Sequence, residues 1–560
     1  MLPALYIFLI AVCILPTLPG LMGVIMAALG YMPTLGLHHF SMQGFAQVFQ
    51  WQGIGHSLGL TFFITLLSTY LACFFTFAIL QSSWGTRWWR RIEAALNPLL
   101  AIPHVAFAIG FAFLFAPTGM GMRALYALID PTFNATSDTP LLIQDPYGLG
   151  LILVLALKET PFLLLMSISV LKQLNVQQTE QVAASLGYNR AQTWLKCVFP
   201  QWLSKLRFAI FAVIAYGVSV VDVAQIVGPT NPPTFAVLVW QWFSDPDLQL
   251  MPRAAAGAIM LFALGSLLLA AAFCIEWLLT KGINQWLWSG RKAFRLPGKS
   301  IFVLLVSLTA LIIPLLSIWS VALRWRFPDL LPSRYSGRFW QLEWSNILST
   351  INVSVIIALI SASIALVFAI VAHEYRIKHK WHIPNYIIAI PMLVPQLSLL
   401  FGLQVLTLYT NIHHYGVWVT WAHLFFVFPY VYLALDGVYR SYDQRLTQIG
   451  LSLGKSPLHV WLKIKLPQIA SALLFAWVIG ISVSLAQYLP TLMLGAGRIS
   501  TLTTEAVALA SGSDRRITAI YALCQALIPL CFFIFAHVIN NKNASTTGKV
   551  RSTNNELSYQ

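Results

Sequence analysis

Apolar and polar positions alternate along this chain on the scale of whole membrane crossings. Twelve apolar stretches, at about 3–30, 58–81, 97–116, 149–171, 205–229, 254–280, 301–323, 350–372, 384–408, 416–436, 469–494 and 517–539, are separated by short polar segments. Most reach or approach the roughly 20 apolar residues that a helix needs to cross a hydrocarbon core about 30 Å thick. The pattern predicts an all-α polytopic membrane protein of about twelve transmembrane helices, six in each half of the chain. The apolar start carries no Lys or Arg before it and no A-x-A cleavage pattern, so Met1–Gly30 reads as a first span and not a removable signal. The polar tail from Asn540 reads as a flexible end.

Composition sharpens the class. Of 560 residues 58% are hydrophobic and 9% charged, against about 25% charged in soluble domains. The net charge of +16 would suggest nucleic acid in a soluble chain, but in a bilayer it reads as topology. Segments after the second, fourth, sixth, eighth and tenth spans, with the tail, hold 24 of the 34 Lys and Arg. That face is expected to be cytoplasmic and to carry both termini. Arg324, Arg326, Arg334, Arg338, Arg515 and Arg516 fall on the other face. The six cysteines lie mostly inside apolar runs without a CxxC pair or a His cluster, and read as packing residues.

One polar strip occurs twice. AASLGYNRAQTWLKCVFPQ (183–201) is matched by IGLSLGKSPLHVWLKIKLPQ (449–468), and a constant offset of 267 aligns Gln181/Gln448, Gly187/Gly454, Trp194/Trp461 and Pro200/Pro467. An even number of spans separates the copies, so both face one compartment. PHVAFAIG (103–110) likewise echoes PQLSLLFG (395–402), and VSVVDVAQ (218–225) echoes the segment ending at Gln487. These echoes predict two parallel modules: 1–285, then a basic linker at 286–300, then 301–540, with 541–560 as tail. In each strip the Gly permits a left-handed helix end. Asn189 or Ser456 then caps a second short helix, Pro457 suits its first position, and Pro200 or Pro467 marks the junction with the next span. Small residues at Ala183, Ala184 and Gly450 allow close approach. Trp194 and Trp461 can anchor on a partner or back onto the bundle.

Gly followed thirteen residues later by Pro, after small residues and Leu, resembles the coupling-loop signature of ABC importer permeases: EAA, three variable residues, Gly, nine variable residues, Ile, one variable residue, Leu-Pro. Ile464, Leu466 and Pro467 match fully in the second copy, while the first has Cys197 and Phe199. In place of EAA stand Gln181-Val182-Ala183 and Gln448-Ile449-Gly450, so the acidic residue is missing from both. With two such loops (about 175–202 and 442–469), the chain is similar to fused permeases of the iron(III) and thiamine importer group, and most like the YnjC-type inner-membrane permeases. The resemblance implies the type I importer architecture, a bacterial inner-membrane location, and coupling through both loops to a cytoplasmic ATPase homodimer that holds ATP and Mg. It also implies an extracellular or periplasmic solute-binding protein.

No cofactor is expected on this chain. The two Gly-Lys-Ser triplets, at 298–300 and 454–456, have Ala293 and Ile449 where a phosphate-binding loop needs its first Gly, so ATP hydrolysis is expected on a separate subunit. His38–His39 and His413–His414 read as solvated outer-loop residues. Ionisable or polar residues within spans are candidates for a solute path: Lys158, Glu159, Asp222, Gln225 and Gln487, the two glutamines expected to face one another. For Lys158, Glu159 and Asp222 a purely structural role stays open. An ion-driven secondary transporter with duplicated halves is the rival reading, and the repeated strip and scarce buried charge favour the ATP-driven one.

Overall fold

The computed structural model describes residues 2–129, 142–282, 286, 292–379, 382–408, 414–512 and 514–557, with side chains to 540. Among them eleven helical stretches are long and apolar enough to cross a membrane, and Gln396–Thr407 is a shorter apolar helix. In hydrocarbon every backbone N–H and C=O must be satisfied within the segment, which is why the spans are helical.

The first half contains α1 (Leu2–Cys13), α2 (Thr17–Ala28), α3 (Gln43–Phe49), α4 (Ile54–Ser83), α5 (Arg87–Ala101), α6 (His104–Phe115), α7 (Met120–Ile129) and α8 (Leu149–Gln173). It continues with α9 (Val176–Ser185), α10 (Arg190–Gln192), α11 (Phe199–Ser219), α12 (Asp222–Val227), α13 (Phe235–Phe243) and α14 (Met251–Trp277). The second half opens with α15 (Gly298–Val321) and a small antiparallel hairpin, β1 (Ala322–Arg324) and β2 (Arg334–Tyr335). After it come α16 (Arg338–Lys378), α17 (Asn385–Ile388), α18 (Ile390–Leu393), α19 (Gln396–Leu408), α20 (Tyr415–Ser441), α21 (Gln444–Ser452), α22 (Pro457–Val460), α23 (Leu466–Leu485), α24 (Leu489–Gly495), α25 (Leu502–Ala510) and α26 (Arg515–Leu557).

Two expected spans are broken. The stretch at 97–116 divides into α5 and α6 at Ile102–Pro103, and that at 384–408 into α17, α18 and α19 around Pro391 and Pro395. Proline removes an N–H and disfavours helix in the residue before it. The spans after the two strips also stop early, at Ser219 and Leu485, and resume as the short helices α12 and α24.

The helices are inside-out relative to a soluble core. Along α4 the buried side carries Ser57, Thr61, Thr65, Ser68, Thr69 and Thr76, while Phe63, Leu67 and Phe74 are exposed. Some of the hydroxyls bond within the helix: Thr61 donates to Ser57 O at 3.0 Å and Ser68 to Thr65 O at 3.2 Å. Small and hydroxylated residues let backbones approach, and large apolar ones face lipid.

The first helical unit of each half packs on the other half. α1 meets α16 through stacked Tyr6 and Tyr375 rings, 3.9 Å between centroids. α2 crosses α19 so closely that a Cβ on Gly402 would lie 1.6 Å from Gly20 O. Reciprocally, α15 crosses α6, where a Cβ on Gly110 would lie 2.5 Å from Ile312 Cγ2. An offset of 292 relates Gly110 to Gly402 and Gly20 to Ile312 alike, the same offset that separates Pro103 from Pro395. The two crossings are therefore made by corresponding positions.

Candidate functional site

Each repeated strip folds as helix, left-handed turn, short helix. Gly187 and Gly454 have φ of +78° and +72°. Tyr188 N donates to Ala183 O at 2.9 Å and Gly187 N to Ala184 O at 2.9 Å; Lys455 N and Gly454 N repeat this on Gly450 O and Leu451 O at 3.3 and 3.0 Å. This paired hydrogen bonding is the Schellman termination, which satisfies the last carbonyls of α9 and α21 and needs a residue that tolerates positive φ. Beyond the turn, Asn189 and Gln192 bond reciprocally in a capping box, and Ser456 Oγ accepts from His459 N at 3.3 Å with Pro457 in the first turn.

The second short helix is not a separate element. It passes through one wide turn, Thr193–Val198 or Trp461–Lys465, straight into α11 or α23, with Pro200 and Pro467 in their first turns. Proline cannot donate to the carbonyl four residues back and crowds it. A π-type turn immediately before the proline widens the helix at that point.

Both tryptophans turn back onto the bundle. Trp194 is fully buried, with its ring 6.0 Å from that of Phe77, and its Nε1 donates to Glu180 Oε1 at 2.7 Å. Trp461 is half-buried and donates to Glu374 Oε1 at 2.9 Å. The carboxylates that hold the two tryptophans lie outside the motif position: one is the preceding residue on α9, the other stands near the end of α16. Glu374 also receives Lys465 Nζ at 2.8 Å, in a buried pocket with the Tyr439 and Tyr442 rings. Neither carboxylate is marked by the motif spacing, which is why sequence reasoning passed over them.

Other strip residues divide cleanly. Ala183 and Gly450 are buried, and a Cβ on Gly450 would press on Ile464 Cδ1 at 2.7 Å. Leu466 is half-buried; Gln181, Ala184, Gln448 and Pro467 are exposed. The outward faces are apolar at matching positions: Val182 and Leu186 are 62% and 63% exposed, Ile449 and Leu453 55% and 72%. The first strip is further pinned by Arg190, which donates to Gln81 O and Trp84 O at the C-terminal end of α4.

Between the halves lies a second polar cluster. Lys158 Nζ donates to Leu99 O and Ile102 O at 3.0 and 2.6 Å, satisfying carbonyls freed where α5 ends before Pro103. Glu159 Oε1 lies 3.0 Å from His104 Nε2, and the His104 ring is 4.9 Å from that of Tyr216. Asp222, at the break after α11, is in electrostatic range of His104, Tyr216 and Tyr488. Gln225 Oε1 accepts from Tyr488 of the second half at 3.4 Å.

Gln487 does not face Gln225. It is buried and its Nε2 reaches His423 O at 3.4 Å within its own half, beside a network in which His423 bonds Ser484 Oγ and Thr491 Oγ1, each at 2.8 Å. The tyrosines and His104 were not legible as site residues, because only the helix breaks bring them together. His38, His39 and His414 are exposed, and His413 falls outside the described residues. All six cysteines are free, and Cys274 and Cys531 are exposed.

No family model matches the chain. It is 33% identical over 491 residues to the inner membrane ABC transporter permease protein YnjC of Escherichia coli (strain K12), covering 85% of this chain and 87% of that protein. It is also 24% identical over 165 residues to the putrescine transport system permease protein PotI of the same strain, covering 26% of this chain and 58% of PotI, and equally to PotI of the O6:H1 strain. With eleven membrane-length helices, two matching Gly-to-Pro strips and similarity along most of its length to YnjC, the chain belongs to the ABC transporter permeases of the YnjC type, multi-pass proteins of the inner membrane.

Proposed function

We propose that the chain is the fused membrane subunit of a binding-protein-dependent importer, and that its two strips seat in grooves of a cytoplasmic ATPase dimer. The carrying observation is the pair of matched knobs. Each is held rigid by a Schellman turn, a cap and a tryptophan–carboxylate bond, and each exposes an apolar side chain at the same two positions. Such side chains cost free energy in water and gain it in a fitted groove. Approach of the two ATPase subunits on ATP binding then moves α9 and α21 together. The wide turns leading into α11 and α23 transmit that motion to these helices, which end just before Asp222 and Gln487. ATP and Mg belong to the ATPase, and a solute-binding protein delivers solute to the opposite face. The basic face, with both termini, is the cytoplasmic one in this reading, and residues 1–285 and 301–540 act as the two permease modules.

The test is Leu186→Asp with Leu453→Asp. Both residues are exposed, so insertion and monodispersity stay normal while co-purification of the ATPase falls at least tenfold. Undiminished ATPase capture, or ion-driven uptake without ATP, overturns the reading.

A further inference from the structure

A cavity of about 760 Å³ opens beside the second strip, where α16 and α20 end and α17 begins. Its size falls in the range of small-molecule sites. One wall comes from the first half, through Phe208 of α11, and the rest from the second half. The lining is of two kinds. Phe208, Ile377, Pro384 and Leu433 supply apolar surface, and Arg376 and Arg440 supply charge.

The two arginines share one carboxylate. Asp436 Oδ1 accepts from Arg376 Nη1, and Asp436 Oδ2 accepts from Arg440 Nε at 2.8 Å. One positive charge is therefore left over. Asn385 Oδ1 and the Tyr432 hydroxyl accept from the same Arg376 Nη1, at 3.4 and 3.3 Å. These bonds occupy one nitrogen on each guanidinium, so most of the five N–H donors that each carries remain for another acceptor. The fork is also preset. The Tyr432 ring that steadies Arg376 stacks on His373, and His373 on Tyr439, with 4.2 and 4.6 Å between centroids. Tyr439 lines the cavity and lies 4.7 Å from Lys465 Nζ, the partner of the Glu374 that holds Trp461.

We propose that this cavity seats the phosphate headgroup of an anionic phospholipid. Guanidinium forks match the unesterified oxygens of a phosphate. The uncancelled charge favours an anionic headgroup over a zwitterionic one, and the apolar wall receives the start of the acyl chains. Basic pockets between spanning helices are the usual seats of such headgroups. A free phosphate ester shares the anion chemistry but leaves the apolar wall unused. A lipid here bears on Tyr439, and through it on the Lys465–Glu374 pair, so occupancy steadies the second strip. At the offset of 292 the position matching Arg376 is Trp84, so the first module lacks this fork. Its strip is tied down by Arg190 on the end of α4 instead.

The experiment uses the full chain, stripped of lipid in detergent, and titrates short-chain phosphatidylglycerol by native mass spectrometry. Short-chain phosphatidylcholine and glycerol 3-phosphate are the comparison ligands. Phosphatidylglycerol binds saturably, phosphatidylcholine at least tenfold more weakly, and glycerol 3-phosphate does not displace the lipid. Bound lipid slows proteolysis between α21 and α23 and leaves that between α9 and α11 unchanged. Arg440→Gln, a 64% exposed side chain whose loss leaves the Arg376–Asp436 pair in place, weakens binding at least fivefold. Arg445→Gln, exposed on the same face and outside the cavity, keeps it within twofold. Equal affinity for phosphatidylcholine, unchanged affinity in Arg440→Gln, or proteolysis indifferent to the lipid overturns the proposal. Displacement by glycerol 3-phosphate at the lipid's own concentration overturns it too, in favour of a free phosphate ester. Should Arg440→Gln fail to purify, Ile377→Asp decides by placing the wrong charge on the apolar wall, and unchanged affinity there overturns the proposal equally.

Discussion

The closest backbone approach between the halves gives the sharpest stability test. At the α2–α19 crossing, a Cβ on Gly402 would sit 1.6 Å from Gly20 O and 2.5 Å from Gly20 C. Both are backbone atoms, so no side chain can rotate away. A carbon–oxygen contact settles near 3.2 Å, so Gly402→Ala must separate the helices by about 1.6 Å or bend one of them. Overpacking costs about 1–3 kcal/mol, and the upper end applies because neighbouring contacts, such as Leu399 and Leu403 on Gly20, open as well. A loss of about 3 kcal/mol is more than a hundredfold in the folded ratio. Gly110→Ala, at the corresponding crossing, meets only the Ile312 side chain and should cost about 1–2 kcal/mol. Gly416→Ala meets nothing within 4 Å and should stay within about 0.5 kcal/mol of the parent. The assay is the midpoint of thermal unfolding in detergent, followed by fluorescence-detected size exclusion. An unchanged midpoint for Gly402→Ala, or a larger fall for Gly110→Ala, would refute the crossing.

Further outcomes follow from other contacts. Glu374→Gln leaves Lys465, 3% exposed, without its carboxylate and should cost about 3 kcal/mol, whereas replacing both by Gln and Met should recover most of it; thermal midpoints compare the two. Trp194→Phe keeps an aromatic ring but loses the indole N–H bonded to Glu180, at least about 1–2 kcal/mol, read as faster proteolysis between α9 and α11. Lys158→Met frees two carbonyls at the end of α5 and should cost about 2 kcal/mol, read as a lower thermal midpoint. On the face opposite the strips, burial works against the Asp514 carboxylate, but hydrogen bonds from Arg516 hold it below its ordinary value. Its contribution is therefore present at neutral pH and lost as pH falls below about 4. Because the pair is a third exposed, Asp514→Asn should remove well under 1 kcal/mol, and only above that pH.

The amino-acid order alone determined the class, the rough position of most helical spans and the local shape of the strips. Those features rest on local causes: apolar length, the left-handed freedom of Gly187 and Gly454, and the capping chemistry of Asn189 and Ser456. The constant offset of 267 predicts both strips on one face. The carboxylates that hold the two tryptophans, Glu180 and Glu374, occupy different elements, so the motif spacing did not mark them. Tertiary structure decided that Trp194 and Trp461 anchor inward, and that Gln487 turns into its own half while Gln225 meets Tyr488. It also decided that Lys158 serves the broken end of α5, and that each half's first helices pack on the other half. These outcomes depend on which helix faces lie together. In a bilayer both faces of a span can be apolar, so the hydrophobic pattern that locates each helix carries almost no record of its neighbours.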